Sequence, residues 1–269
     1  MKKLLASLLS LVMMFSVAGC SEDKKDDAKD EEVKDKAEKI VEETIKVEPM
    51  SGTCGDNLTF ELAEDGTLTI SGTGEMYEYY DTYFNKQRED FPWEERCEDI
   101  HKLVIKQGVE TINARAFMGC QNLEEITFPA SIREIQDWTF AACRSLKTVN
   151  MPDKVDESLY IGADAFNQCA VTEIELPIGT KSIHLRAFSY CALKTFVIPD
   201  TVTSFDLSIV GHCRGLERMH IPTSVTEITD TFGQLDAGVF GGDNTKIYGE
   251  EGSYAQTYAE ENGIAFVAE

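Results

Sequence analysis

The chain lacks every short motif that ordinarily marks an enzyme. No H-E-x-x-H, G-x-S-x-G or phosphate-loop sequence occurs in its 269 residues. The glycines of "SGTGEM", residues 71–76, come without the Lys-Ser/Thr pair that a phosphate loop needs. Histidine is scarce and scattered, at His101, His184, His212 and His220. No C-x-x-C is present, although there are eight cysteines. Positive charge is also short: 25 Lys and Arg face 48 Asp and Glu, a net charge of −23. That balance argues against nucleic acid or a bare anionic membrane as partner. Acid pairs such as Glu124-Glu125 are abundant in so acidic a chain, and they mark a solvated face more often than an acid/base pair. Beyond the first twenty residues no long apolar run occurs, so no segment there reads as a membrane span. No cofactor or metal is expected.

The first twenty residues are different. "MKK" supplies charge and "LLASLLSLVMMFSVAG" is an apolar run that ends in small residues. This is the layout of a secretory signal, and it is short for a spanning helix. Val17, Ala18 and Gly19 then precede Cys20, which resembles the bacterial lipobox. The resemblance implies cleavage before Cys20 and lipidation of that residue. Each buried CH₂ of an acyl chain adds about 0.8 kcal/mol, so several chains hold a protein firmly on a membrane surface. Residues 1–19 are read as the signal and 20–48 as an acidic tether. The segment "SEDKKDDAKDEEVKDKAEKIVEETIKVE" has no aromatic residue and too little apolar surface to offset its ordering entropy. The protein is expected on the extracytoplasmic face of a bacterial membrane, as a monomer.

What dominates the rest is a repeat. Six rungs begin at Ile100, Leu123, Leu146, Val171, Leu193 and Leu216. Apolar residues follow three and five places on: Leu103/Ile105, Ile126/Phe128, Val149/Met151, Ile174/Leu176, Phe196/Ile198 and Met219/Ile221. Proline stands six places on in five rungs, at Pro129, Pro152, Pro177, Pro199 and Pro222. A period of about 20–29 residues with this strand pattern is that of a leucine-rich solenoid. Positions two apart share one face of a strand, so each pair is buried together. Proline lacks the N–H to continue the ladder and helps end the strand. A second apolar site follows in most rungs: Val109/Ile112, Ile132/Ile135, Val155/Ile161 and Val202/Phe205. Then comes a corner, "AFMGC", "TFAAC", "AFNQC", "AFSYC" and the degraded "IVGHC".

The corner cysteines Cys120, Cys143, Cys169, Cys191 and Cys213 pose a choice between metal, disulfide and packing. Zinc needs ligands converging on one point, whereas stacked rungs place equivalent residues in a line about 4.8 Å apart. A disulfide wants Cβ atoms about 3.8 Å apart with converging directions. All five are therefore expected to stay reduced and buried. Cys54 and Cys97 lie outside the ladder, and whether they pair is left open. His212 beside Cys213 could suggest a nucleophile pair, but chain neighbours point apart and Cys213 holds a ladder position. Asn57-Leu58-Thr59 matches the glycosylation triplet and is read as chance.

The A-F-x-x-C corners at Phe117, Phe140, Phe166 and Phe188 and the I-x-I-P strands resemble the BspA-like leucine-rich repeat family of bacterial surface proteins. "SGTCGDNLTFELAEDGTLTISGTGEMYEY" with "FPW" resembles the β-rich leader of such repeats, and "KIYGEEGSYAQTYAEENGIAFVA" their terminal unit. The resemblance implies a solenoid at 100–232, a β-rich N-terminal cap at 49–99 and a strand-helix-strand cap at 233–269. It also implies adhesion or interaction with an extracellular protein or glycan, without catalysis. A structural spacer or envelope-assembly module is the alternative. A solute-binding lipoprotein is disfavoured because it needs a cleft between two lobes.

Within the caps, Asp65-Gly66 signals a hairpin, Ser253 with Gln256 a helix start, and Gly263 that helix's end. The candidate binding face is the outward strand positions, in two columns. One is Lys102, Glu125, Thr148, Glu173, Thr195 and Arg218; the other is Val104, Thr127, Asn150, Glu175, Val197 and His220. The Tyr-rich "MYEYYDTYFN", residues 76–85, is a second candidate contact surface.

Overall fold

A computed structural model of the chain describes residues 47–78, 91–231, 240 and 245–269. The signal, Cys20, all but the last two residues of the tether, and residues 79–85 of the Tyr-rich run lie outside the described residues. The described residues all belong to one compact unit. No helix among the described residues is long and apolar enough to cross a membrane.

The unit opens with β1 (Met50–Gly55), β2 (Leu58–Leu62) and β3 (Thr67–Gly72), an antiparallel meander. The Asp65-Gly66 hairpin forms as the sequence indicates. Leu62 pairs with Leu68, Gly66 has φ +78°, and the Asp65 carboxylate accepts from Thr67 N at 2.9 Å. Alternation then splits the strands into a buried row (Leu58, Phe60, Leu62) and an outward row (Thr59, Glu61).

The rungs follow in order. The first carries β4 (Lys102–Ile105) and β5 (Thr111–Ile112), and the second β6 (Glu125–Thr127) and β7 (Glu134–Ile135). The third carries β8 (Thr148–Asn150) and a long β9 (Lys154–Ile161), and the fourth only β10 (Ile178–Ile183). The fifth carries β11 (Thr195–Val197) and β12 (Ser204–Asp206), and the sixth β13 (Arg218–His220) and β14 (Glu227–Thr229). The chain closes with β15 (Lys246–Gly249), helix α1 (Tyr254–Glu261) and β16 (Ala265–Ala268). The solenoid is mainly β, as its repeat indicates. The front sheet runs β1-β2-β3-β4-β6-β8, and a second front sheet runs β11-β13-β15-β16. The back is β10-β9-β7-β5, then β12-β14.

One expected front strand does not form. Val171–Leu176 belongs to no strand, so the front wall is interrupted between β8 and β11. The cause is legible in the preceding rung, which spans 25 residues where the others span 22 or 23. The extra residues lengthen β9 to eight residues, and its register with β10 shifts twice.

Corners hold the rungs together where strands do not. Phe117, Phe140, Phe166 and Phe188 are fully buried. Their rings stack at centroid spacings of 5.4, 5.2 and 5.2 Å. Trp93 caps the column, 5.2 Å from Phe117 and nearly parallel to it, and its Nε1 donates to Ala116 O at 2.8 Å. Backbone bonds stitch each corner to the next: Phe117 N to Thr139 O, Phe140 N to Ala165 O, Phe166 N to Ala187 O and Phe188 N to Ile209 O. The residue before each cysteine turns left-handed. Gly119 fits at φ 77°, but Ala142, Gln168, Tyr190 and His212 hold φ near 61° without glycine's freedom. Inter-rung bonds such as Ala142 N to Asn167 O and Tyr190 N to Gly211 O hold that conformation in place.

Cysteine packing follows the expectation at four corners and departs from it at the first. Cys143, Cys169, Cys191 and Cys213 are free and buried. Each thiol donates to the phenylalanine carbonyl at the preceding corner, Cys143 to Phe117, Cys169 to Phe140, Cys191 to Phe166 and Cys213 to Phe188, at 3.1–3.2 Å. Burial pushes the Cys143 and Cys213 thiols up to about 12 and raises Cys169 and Cys191 as well, so they are poor nucleophiles at neutral pH. Cys120, expected to be reduced, is instead bonded to Cys97 across a Cα–Cα distance of 4.9 Å. Cys54, the other partner considered for Cys97, is free and buried. Cys97 sits on the 3-10 turn Glu94–Asp99 rather than on a left-handed corner, so its side chain does not copy the direction of the ladder thiols.

Lower in the solenoid, Asp206 ties rungs five and six. It accepts from Ser208 N, Thr229 Oγ1, Thr231 N and Thr231 Oγ1 at 2.6–2.9 Å. Burial alone would raise its pKa, but these donors outweigh burial and bring it down to about 2 from 3.8. The unfolded chain therefore takes up this proton first on acidification. The stabilisation is complete above about pH 4 and is lost as pH falls towards 2, amounting to about 2 kcal/mol. Asp206→Asn should remove it. Urea titrations of both proteins at pH 7 should differ by about that amount, and at pH 2 the difference should vanish.

Candidate functional site

The outward front positions form a polar surface whose side chains strand pairing places in rows. In-register parallel pairing aligns them: Lys102 with Glu125 and Thr148, and Val104 with Thr127 and Asn150. Two rungs on, Thr195 aligns with Arg218 and Val197 with His220. Side-chain bonds then run across strands. Lys102 Nζ meets Glu125 Oε1 at 3.0 Å, and Asn150 Nδ2 donates to Glu125 Oε1 (3.0 Å) and Thr127 Oγ1 (3.3 Å). His101, Lys102, Glu124, Glu125, Lys147 and Thr148 line a shallow depression of about 350 Å³ there.

The face is longer than the six rungs indicate. At the front it continues onto β3, where Thr67 and Thr69 align with Lys102 and Val104. At the far end Lys246 and Tyr248 of β15 align with Arg218 and His220, and Ala265 and Val267 of β16 extend the two rows. Neither β15 nor β16 carries the I-x-I-P signature, so only the strand alternation of "KIYG" and "IAFVA" signals them. Arg218 lies over the Tyr248 ring at 3.8 Å. Glu269 reaches Arg218 at 3.1 Å and His220 Nε2 at 3.6 Å. Arg218 and His220 are thus engaged within the chain, as Lys102, Glu125, Thr127 and Asn150 are.

Glu173 and Glu175 fall on the rung without a front strand, so the structure does not bring them into the sheet rows. Both are exposed, as are Thr148, Asn150, Thr195 and Val197 around them. Lys102, Val104, Glu125 and Thr127 are half-buried. Of the Tyr-rich run only residues 76–78 are described. Asn113 Nδ2 holds that end, donating to Tyr77 O at 2.6 Å and Met76 O at 3.2 Å.

His212 stacks flat on Tyr190 at 4.1 Å, while the adjacent Cys213 thiol is buried against Phe188 O. Among the described residues no group of three or more His, Cys, Asp or Glu side chains is placed to hold a metal ion. Asp164 is buried, but Arg186 pairs with it at 2.7 Å and Asn167 donates to it, so it serves as a corner tie.

The family described as BspA type leucine rich repeat region matches residues 93–159 and 159–234, in six copies. Among solved structures, a leucine-rich repeat protein from Eubacterium ventriosum aligns at 23% identity and TM-score 0.52, over 76% of this chain and 45% of that one. One from Bacteroides ovatus aligns at 22% identity and TM-score 0.48, over 74% of this chain and 55% of that one. The chain thus spans about half the length of these two proteins. No curated protein matches it.

Proposed function

Because the chain belongs to the BspA-type leucine-rich repeat family, we propose that it is a surface lipoprotein whose solenoid binds a protein or glycan partner without catalysis. The observation that carries this reading is the outward sheet face, which runs over β3, β4, β6 and β8 and, after the break at rung four, over β11, β13, β15 and β16. It presents ordered, mixed polar side chains in register, and solenoids bind on such surfaces. In this reading Cys20 carries the lipids and the acidic tether lifts the solenoid from the membrane.

Two experiments test it. Cys20→Ala should release the protein into the medium or leave an uncleaved precursor; normal processing and retention would sink the anchor. The full chain, solubilised in detergent and offered to arrays of matrix proteins and glycans, should select a target. Binding to that target should fall when Asn150, Glu175 and His220 are changed together to alanine, whereas a spacer would select no target at all.

A further inference from the structure

The turns that carry the chain from each corner to the next front strand are not alike. Two residues fill the step into rungs two, three and six: Gln121-Asn122, Arg144-Ser145 and Arg214-Gly215. Each closes as a tight turn, with Leu123 N donating to Cys120 O, Leu146 N to Cys143 O and Leu216 N to Cys213 O at 2.9–3.2 Å. Into rungs four and five the step is a single alanine, Ala170 or Ala192, and no such bond forms there among the described residues. The corner side therefore lacks its turn over two adjacent rungs, about 10 Å. A turn that carries an arginine stands on either side of this gap in the row of turns.

The surroundings are cationic, on a chain whose net charge is −23. Arg144, Lys147, Lys194 and Arg214 are all exposed. None of the four forms an ion pair among the described residues, whereas Lys102, Arg133, Arg186 and Arg218 all do. Arg144 donates only to the neutral Gln168 Oε1, at 3.3 Å. Two acids border the patch from outside the alanine rungs. Glu124 is bonded through its backbone to Lys147 N, and Glu217 N to Lys194 O. Glu173 stands one position further along rung four, on the front face.

An aromatic surface adjoins these cations. Tyr190 is 52% exposed even with His212 stacked flat on it at 4.1 Å. Gln168, Tyr190 and His212 hold equivalent corner positions, and the bonds from Gln168 N to Ser189 O and Tyr190 N to Gly211 O align them. Arg144 meets one end of this row at Gln168. Arg214 stands near the other end, where burial first and this guanidinium second lower the His212 pKa. Guanidinium groups hold oxyanions such as carboxylate or sulfate through paired N–H bonds. An exposed tyrosine offers a flat, amphipathic face at low entropic cost, which suits the C–H face of a sugar ring. A peptide strand would need free backbone groups to pair with, and the rung-to-rung bonds of these corners already use theirs.

We propose that this stretch of the corner side is a binding site for an anionic glycan, one whose sugars carry sulfate or carboxylate groups. Tyr190 carries a sugar ring, Arg144 and Arg214 hold oxyanions towards its two ends, and Lys147 and Lys194 line the front side. The glycan lies across the surface and enters no gap between rungs. At physiological salt, charges more than about 8 Å away are largely screened, so the local cations outweigh the distant acids. This rests on the interaction reading above and adds to it a ligand class and a second surface, beside the front face.

The test titrates the full chain, in an uncharged detergent at about 0.15 M salt, with a chondroitin sulfate tetrasaccharide. Binding should weaken roughly tenfold in Arg144→Glu/Arg214→Glu. It should persist in Lys154→Glu/Lys181→Glu, which makes the same change of charge on the back strands β9 and β10. Tyr190→Asn removes the ring and suits the left-handed backbone there, at φ 60°; it should weaken binding about fivefold. Neutral cellotetraose should not bind. An unsulfated chondroitin tetrasaccharide separates the two anionic groups. Binding by it makes carboxylate sufficient, and binding by the sulfated form alone makes sulfate the group held; either supports the site. Equal loss in both charge-reversed proteins would reduce the effect to net charge and overturn the site. So would binding by neither chondroitin. A four-residue glutamate peptide that binds as tightly, with no response to Tyr190→Asn, would make an acidic peptide the occupant and equally overturn the glycan. If the site fails while an array target is still selected and is lost on the front-face substitutions, the interaction reading stands without it.

Discussion

Phe140→Ala is expected to lower the stability of the solenoid by about 4 kcal/mol. Its ring lies in the middle of the corner column, 5.4 Å from Phe117 and 5.2 Å from Phe166, with Phe128 edge-on at 5.9 Å. Truncation removes all three contacts at once and leaves a cavity that stitched corners cannot collapse to fill. A loss of that size in a body of this length lowers the melting midpoint by roughly 10 °C. Phe140→Leu keeps most of the volume and should cost less than half as much. Calorimetry of the three proteins checks both numbers. A loss below about 1 kcal/mol in Phe140→Ala would show that the column fills space without holding rungs together. Because each rung touches only its neighbours, the same change at Phe188 should be milder. There the column ends, since Val210 stands where the next ring would be.

The corners and most strands are legible because the residues that build them repeat. Phe, Cys and the apolar pairs each answer the same local demand every 22 to 25 residues, so one rung explains the next. The departures come where a rung's neighbour differs. Leu176 carries the same strand signature as Ile198, yet only Ile198 follows a front strand and closes onto the next rung. What separates them is the extra length of the rung before, visible as the six-residue step from Val155 to Ile161 where other rungs step three. The candidate face was legible as two columns. Its closure by Tyr248 and Glu269 was not, because terminal units abandon the repeat and their side chains find partners only through folding. Trp93 belongs to the same class. "FPW" resembles part of the leader, and the place of Trp93 atop the phenylalanine column follows from stacking geometry rather than from any spacing rule.

The first corner supplies the other large effect. Cys97 precedes Cys120 by 23 residues, the same step that separates Cys120 from Cys143. Trp93 and Cys97 therefore act as a degenerate corner, with indole in place of phenyl and a disulfide in place of a thiol bonded to a carbonyl. Closing a 23-residue loop restricts the unfolded chain by about 3 kcal/mol. Cys97→Ala/Cys120→Ala should lose about that amount in urea titration. Its circular dichroism should be unchanged, because β3 and β4 still pair and carry the sheet from cap to first rung. Peptide mapping without reductant should recover Cys97 joined to Cys120 and Cys54 alone. Joining of Cys54 to Cys97 would instead place the covalent tie wholly inside the cap. The double variant would then lose stability without loosening the join between cap and solenoid. In the arrangement seen, the tie crosses that join. It braces the junction at which Thr67 and Thr69 meet Lys102 and Val104, so the outward face begins one strand earlier than its repeats do.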